Sequence, residues 1–356
     1  MKGRFEKFQE WLKTSAPIPG EFFSKVSSEP VPHHLKRWWF ALGGTPAYLF
    51  IIQVATGILL TFYYVPEPGH AYESVRHITY DINFGWIIRS LHKWSSNLMI
   101  IAVILHVFRV FFTGAYRKPR ELNWMIGCGV LGCTLFFGFT GYSLIYEQLS
   151  YWGATVGANI TQNVPIIGDY LGRFMRGGDS VEENTLTRFF VFHTMLLPLA
   201  LTLLLVVHIA LIRLLGVTEL VFEEERGKPA RHFPFFPNHF LMETIIAMSL
   251  TLLLAFLVVV FPARLGPPAD PFLTPEHIKP EWYFYFTFRW LKLTSLQVGV
   301  LGTGVAYMLL IFWPFLDRIL VKKFPEKEIS VWLGVIAILT AGAQIKAAEG
   351  GRVRRT

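Results

Sequence analysis

Four histidines fall inside long apolar stretches of the chain, His92 and His106 in one, His193 and His208 in another. The first pair is fourteen residues apart and the second fifteen. Four turns of α-helix take about 14.4 residues, so each pair lies near one face of its helix, about 21–22 Å apart along the axis. In a hydrocarbon core about 30 Å thick, that spacing puts one imidazole near each membrane surface. If the two helices run in the same direction, His92 is level with His193 and His106 with His208. Two neutral imidazoles facing each other at one depth are the axial ligands of a six-coordinate haem iron. Zinc would want additional cysteine or carboxylate ligands, and none sits at these depths. A single intramembrane histidine has a plainer use as a helix–helix hydrogen bond. Two level-matched pairs favour two haems over that use.

Two further patterns accompany the histidines. Gly43 and Gly57, and again Gly127 and Gly141, repeat the fourteen-residue spacing in two neighbouring stretches. A helical glycine costs up to about 1 kcal/mol relative to alanine, so its repeated use points to something bulky approaching the backbone. Helix packing through small residues is the alternative. Arg89 lies three residues before His92, and Arg109 three after His106. An unpaired arginine in a bilayer is expensive. Haem propionates would pair with each in bidentate fashion; snorkelling to the interface is the other use.

Residues of this kind need membrane-crossing helices to position them, and the composition agrees. Of the 356 residues, 53% are hydrophobic and 16% charged, against about 25% charged in a typical soluble domain. Apolar stretches near the spanning length of about 20 residues occupy 38–66, 84–116, 123–146, 189–212, 244–263, 293–316 and 329–345. We denote them spans A to G; the chain is expected to be an all-α, polytopic membrane protein. Its first residues are too charged for a cleavable signal, and Phe5, Phe8, Trp11 and Leu12 fall at the spacing of an amphipathic helix lying on the surface.

The net charge of +8 is an orientation signal rather than a nucleic-acid footprint. Lys and Arg number eighteen in the N-terminal arm and loops BC, DE and FG, against eight in AB, CD and EF. The excess places the N-terminus in the cytoplasm. Seven spans then place the C-terminus outside, although Arg352, Arg354 and Arg355 in the tail argue the other way. Cys128 and Cys133 share one apolar stretch and no CxxCH occurs, which excludes a disulfide scaffold, a cysteine zinc site and a c-type haem attachment. The expected organisation is a surface arm at 1–37, a four-helix di-haem domain at 38–216, a three-helix part at 217–346, and a tail. Loops CD and EF are long, lie on the outer side, and hold WGATV and HIKPEWYFYF, as a site on one face would require.

These motifs resemble the cytochrome b subunits of quinol–cytochrome c reductases over most of the chain. QVATGILLTFYY at 53–64, FGWIIRSLHKW at 84–94, LHVFRV at 105–110, KPREL at 118–122 and TLTRFF at 185–190 are similar to the chloroplast type. So is the fifteen-residue histidine spacing. The second half resembles that system's three-helix subunit IV, fused here in one chain. The resemblance implies haem b at His92/His193 and His106/His208, and a quinol-oxidising site on the outer face. That site would include Pro280, Glu281, Trp282 and Tyr283 of the PEWY motif, with Glu281 taking a quinol proton and Tyr283 its hydrogen-bond partner. Gly153 and Tyr146 would line the pocket. One electron would pass to a Rieske iron–sulfur protein, the other through the two haems to an inner quinone site, coupled to proton translocation. A c-type cytochrome subunit, membrane lipid and a homodimeric complex in the cytoplasmic membrane are further implications, and PEWY leans towards a higher-potential quinone.

The chain departs from the family in three places. Ala41 stands where chloroplast-type chains carry the cysteine of an extra covalent haem, so that haem is not expected. Ile145 and Tyr146 replace a Pro-Trp pair at the outer pocket. His239 replaces an acidic residue of the inner site, where it would take protons itself or serve as an interfacial histidine. The rival readings are a di-haem anchor passing electrons from a dehydrogenase to quinone, and a transporter with a histidine proton relay. The first lacks the paired glycines and the PEWY loop; the second needs broken helices and repeat symmetry.

Overall fold

The computed structural model describes residues 27–37, 42–178, 181, 183–220, 231–276, 278–325 and 327–350, with isolated positions 7, 10, 11 and 227. The expected surface helix rests largely on Phe5, Phe8 and Leu12; these residues, Ala41 and the tail arginines lie outside the described residues. The helices, in order, are α1 (Gly44–Thr61), α2 (Ala71–Tyr80), α3 (Gly85–Phe112), α4 (Glu121–Ser143), α5 (Gln148–Gln162), α6 (Gly168–Arg176), α7 (Glu183–Val191), α8 (Leu197–Leu215), α9 (Phe240–Val260), α10 (Tyr285–Leu293), α11 (Leu296–Ile311), α12 (Trp313–Lys323) and α13 (Ile329–Gly350). Among the described residues, six helices are long and apolar enough to cross a membrane, and up to seven if the bent pair α11–α12 forms one span. Helices α7 and α8 run together through a π-turn at Phe192–Leu196 as span D.

Span F corrects an expectation. The apolar 293–316 stretch predicts one continuous span, whereas α11 and α12 meet at 68°. Pro314 lacks an N–H and its ring crowds the carbonyl four residues back, so the helix cannot run through it. That carbonyl, on Leu310, accepts instead from the Trp124 indole at 2.7 Å.

The chain divides into two compact units. The larger comprises residues 46–216 and 252–356. Within it α4 packs along α8 and beside α3, and Leu49, Met99, Ala102 and Leu254 form a buried cluster. The loops between α1 and α3, between α4 and α7, and after α9 gather at one end, here called the EF end. Tyr72 donates to Gly266 O at 2.8 Å, and Glu147 bridges to Pro268. At the opposite end, buried Asp317 of α12 accepts from Arg117 Nε at 2.8 Å and from Ser330, tying the α3–α4 loop to α12 and α13. Large apolar side chains along the spans point outward, among them Leu252 and Val259, as lipid-facing surfaces require. The smaller unit, residues 1–45 and 217–251, contains an antiparallel pair, β1 (Pro30–Pro32) and β2 (His232–Pro234), over the cluster Val31, Leu35 and Phe233.

Helix α2 crosses the start of α3 at Gly85, where an added Cβ would lie 1.9 Å from Ile78 O. The obstacle is backbone and cannot rotate away. Gly85→Ala is therefore expected to destabilise the EF end by about 1–3 kcal/mol, the usual cost of overpacking. Thermal unfolding followed by circular dichroism checks this; an unchanged midpoint would contradict it.

Candidate functional site

The bundle brings the four histidines together in two facing pairs. His92 of α3 and His193 of the π-turn have ring centres 6.2 Å apart, with planes at 71°. His106 of α3 and His208 of α8 have ring centres 6.4 Å apart, at 77°. An imidazole–metal bond of about 2.0–2.1 Å puts the metal about 3.1 Å from the ring centre, so two opposed imidazoles on one metal stand about 6.3 Å apart. Both pairs fit an axially ligated ion between them.

The unequal spacings have a structural cause. In a regular helix fourteen residues fall about 40° short of four turns and fifteen overshoot by about 60°, so the extra residue would turn His193 about 100° away from the register of the His92–His106 pair. The π-turn absorbs it, with Leu197 N–H bonding to Phe192 O five residues back. Such single-turn bulges are frequent at functional sites.

Hydrogen bonds fix the tautomers at the EF end. Thr56 Oγ1 donates to Ile52 O at 2.7 Å and lies 2.9 Å from His92 Nδ1. Thr140 Oγ1 donates to Phe136 O at 3.0 Å and lies 3.1 Å from His193 Nδ1. A hydroxyl carries one hydrogen. With that hydrogen on a helix carbonyl, each threonine oxygen accepts from Nδ1–H, and each Nε2 keeps its lone pair for a metal. Gln53 adds a bond from Nε2 to His92 O at 2.6 Å, holding α1 against α3.

Three of the four glycines lie against imidazoles. An added Cβ would come 3.3 Å from His92 Cε1 at Gly57, 2.6 Å from His193 Cε1 at Gly141, and 3.4 Å from His208 Cε1 at Gly127. The bulky group beside the backbone is thus, in the first instance, the histidine ring. Gly43 is exposed in the turn just ahead of α1. A second glycine role was not foreseen: Cβ atoms at Gly132 and Gly138 would strike the hydroxyls of Tyr307 and Tyr283 at 2.4 and 2.6 Å. One face of α4 therefore serves the histidines and another receives the C-terminal half.

Arg89 is buried, and its guanidinium donates to the carbonyls of Ala263 at 2.7 Å and Arg264 at 3.2 Å. These partners lie more than 170 residues away along the chain and have no local pattern that marks them. Arg109 stands one turn beyond His106 on α3.

The PEWY turn packs at the EF end. Trp282–Phe284 form a single 3-10 turn capped by Phe284 N–H to Glu281 O at 2.9 Å. Trp282 Nε1 donates to Asn97 Oδ1 at 2.6 Å, and Tyr283 enters the notch at Gly138. Burial pushes the Glu281 carboxyl above its ordinary range; Lys93 pulls it down and Glu147 pushes it further up. Tyr283 is also raised, by burial and then by Glu281. Gly153 of α5 faces the Tyr142 ring, 3.3 Å from an ideal Cβ. Tyr146, at φ 55°, packs edge-on to Tyr151. His239 belongs to the smaller unit, where its ring meets Phe233 and Phe235 and its Nε2 lies 3.5 Å from Glu243. Glu243, whose carboxylate occupies the space beside Gly44, escaped the sequence reading, as did Thr56, Thr140 and Asn97. The threonines had a signal: each directly precedes a glycine of the histidine repeat.

A mainly helical polytopic membrane protein built round two opposed histidine pairs is the class that this fold and site define. Residues 26–216 match the family model for cytochrome b/b6/petB, and residues 268–347 that for cytochrome b(C-terminal)/b6/petD. The chain is 45% identical over 210 residues to cytochrome b6 of Heliomicrobium gestii, covering 59% of this chain and 99% of the relative. It is 36% identical over 316 residues to the cytochrome bc complex cytochrome b subunit of Chlorobaculum thiosulfatiphilum, covering 86% and 73%. A solved hyperthermophilic respiratory Complex III superposes with a TM-score of 0.79 at 25% identity, over 95% of this chain and 97% of that one. The chain belongs to the cytochrome b/b6 family, and is the cytochrome b subunit of a bc-type quinol–cytochrome c reductase. Membership implies haem b and partner subunits.

Proposed function

We propose that this subunit oxidises quinol at the EF end, on the outer face of the cytoplasmic membrane, and serves a second quinone site at the inner face. His92 and His193 would hold one haem b and His106 and His208 the other. The observation that carries this reading is the pair of ring separations, 6.2 and 6.4 Å. Haem b, when bound, supplies a one-electron carrier at each depth. The protein's own part is to fix the rings, exclude water and manage protons.

Thr56 and Thr140 orient the imidazoles and raise their basicity through Nδ1–H. Glu281, half-buried beside Lys93, takes a proton from the quinol hydroxyl; Tyr283 keeps that carboxyl close to α4. The Arg89 guanidinium has donors beyond the two used on loop carbonyls, and these are directed to a propionate. Arg109 has the same role at the opposite end. Gly153 and Tyr146 shape the outer pocket, and His239 delivers protons to the inner site. A Rieske iron–sulfur protein takes one electron of each quinol and a c-type cytochrome follows it, in a homodimeric complex that moves protons outward. The N-terminus is cytoplasmic.

Thr140→Val tests the ring geometry without removing a ligand. Without the Thr140 hydroxyl, Nδ1–H would rely on the Phe137 carbonyl, and His193 would donate less to a bound iron, favouring its reduced form. The midpoint potential of the outer haem is expected to rise while the inner one stays put, and potentiometric titration of the visible spectrum reads both. An unmoved outer midpoint would contradict the role of Thr140.

A further inference from the structure

Helix α3 does more than carry His92 and His106. Its first half holds both ends of loop EF. Ala263 N–H donates to Ser90 Oγ at 2.9 Å, Arg89 donates to Ala263 O and Arg264 O, and Trp94 Nε1 donates to Phe261 O at 2.8 Å. Near the far end of the loop, Trp282 Nε1 donates to Asn97 Oδ1 at 2.6 Å. Residues 89, 93 and 97 recur at four-residue intervals, so they share a face of the helix.

Asn97 is a half-buried amide in an apolar stretch, where amide groups left unbonded are costly. Both groups are bonded: Nδ2 donates to Lys93 O at 2.9 Å, which turns Oδ1 towards the indole. An indole has a single donor, so this is the one polar anchor that the Trp282 ring can form. Glu281 immediately precedes Trp282 and caps its turn. Any slack at the indole therefore passes to the carboxylate with no intervening residue to absorb it.

We infer that Asn97 is the positioning residue of the PEWY turn, and that its bond to Trp282 sets the Glu281 carboxylate at a fixed place relative to the His92–His193 level. This rests on the reading of Glu281 as the quinol's proton acceptor. The titratable and charged groups facing Glu281 are Lys93 from α3, Tyr142 from α4, Glu147 after α4, and Tyr283 from its own turn. Asn97 acts on none of them by charge. Its effect is one of placement, where a shift of about 1 Å costs up to about 100-fold in rate.

The test uses the intact complex carrying Asn97→Leu, Trp282→Phe, both together, and Glu281→Gln. Asn97→Leu is expected to lower kcat for quinol oxidation at least about tenfold, and to remove the limb of the pH–rate profile that Glu281→Gln also removes. Both haem spectra and midpoints stay as in the parent. Trp282→Phe reproduces the effect, and the double variant is no slower than the slower single one, since the two residues form one bond. Parent turnover with an unshifted pH profile in Asn97→Leu, or multiplying effects in the double variant, would overturn the inference. If Asn97→Leu assembles without haem, Trp282→Phe alone decides by the same readouts. Parent turnover in Glu281→Gln would instead remove the underlying reading of Glu281. A slowed Glu281→Gln with a normal Asn97→Leu would remove only the positioning role.

Discussion

Replacing His193 by leucine is expected to abolish quinol oxidation and to remove one of two b-type components from the reduced-minus-oxidised spectrum. The component retained is the one at His106 and His208. On the proposed ligation, His193 supplies one of two axial nitrogens at its level, and its ring is held on three sides. Thr140 fixes Nδ1, Gly141 leaves room for Cε1, and Phe137 stacks edge-on at 5.4 Å. Leucine offers no lone pair and fills the same space, so a bound iron would lose the ligand that His193 is proposed to supply. Even altered supporting contacts cost about 10–100-fold in metal affinity, and loss of a ligand costs more. Because the second pair lies about 21 Å away along the helix axis, its spectrum is expected to survive. Redox-difference spectroscopy of the purified complex reads the outcome. Loss of the other component alone would refute the pairing of levels.

Glu281→Gln keeps the shape of the side chain and removes its capacity to accept a proton. General-base catalysis contributes about 100- to 10,000-fold, and turnover of quinol is expected to fall within or just below that range with both haems retained. The pH dependence carries the sign. A carboxyl accepts a proton only when ionised, so the rate rises with pH through its pKa and levels off above it. Burial and Glu147 shift that value upward against the opposing pull of Lys93, so the limb lies above the ordinary glutamate value of about 4.3. Glutamine removes the limb. Stopped-flow haem reduction across pH gives both the rate and the limb, and parent kinetics in the variant would exclude Glu281 from the reaction.

What was legible in the sequence was periodic. The apolar runs marked the spans, and the repeat of about fourteen residues in His92–His106 and His193–His208 marked two depths, because helical rise and twist are nearly constant. The extra residue in the second pair was visible, but its accommodation by a π-turn at Phe192–Leu196 was not. Local winding is chosen by tertiary contacts such as Thr140 on His193. Pro314 is equally visible, but the uniform apolar composition of span F masks the 68° bend that it imposes. The partners of Arg89, Glu147 and Asn97 left no trace. Arg89 bonds to carbonyls that every residue possesses, Glu147 accepts the Gly266 N–H at 2.6 Å, and the indole of Trp282 meets Asn97 across 185 positions of sequence. Backbone acceptors and distant single bonds have no period to read.

The central proposal is that each of the two opposed histidine pairs would hold the iron of one haem b. Optical redox titration of the purified complex, joined to low-temperature electron paramagnetic resonance of its oxidised form, tests it most directly. The predicted result is two b-type haems with distinct midpoints, both low-spin with bis-imidazole signatures. A single haem, or a high-spin five-coordinate signal at either midpoint, would contradict it.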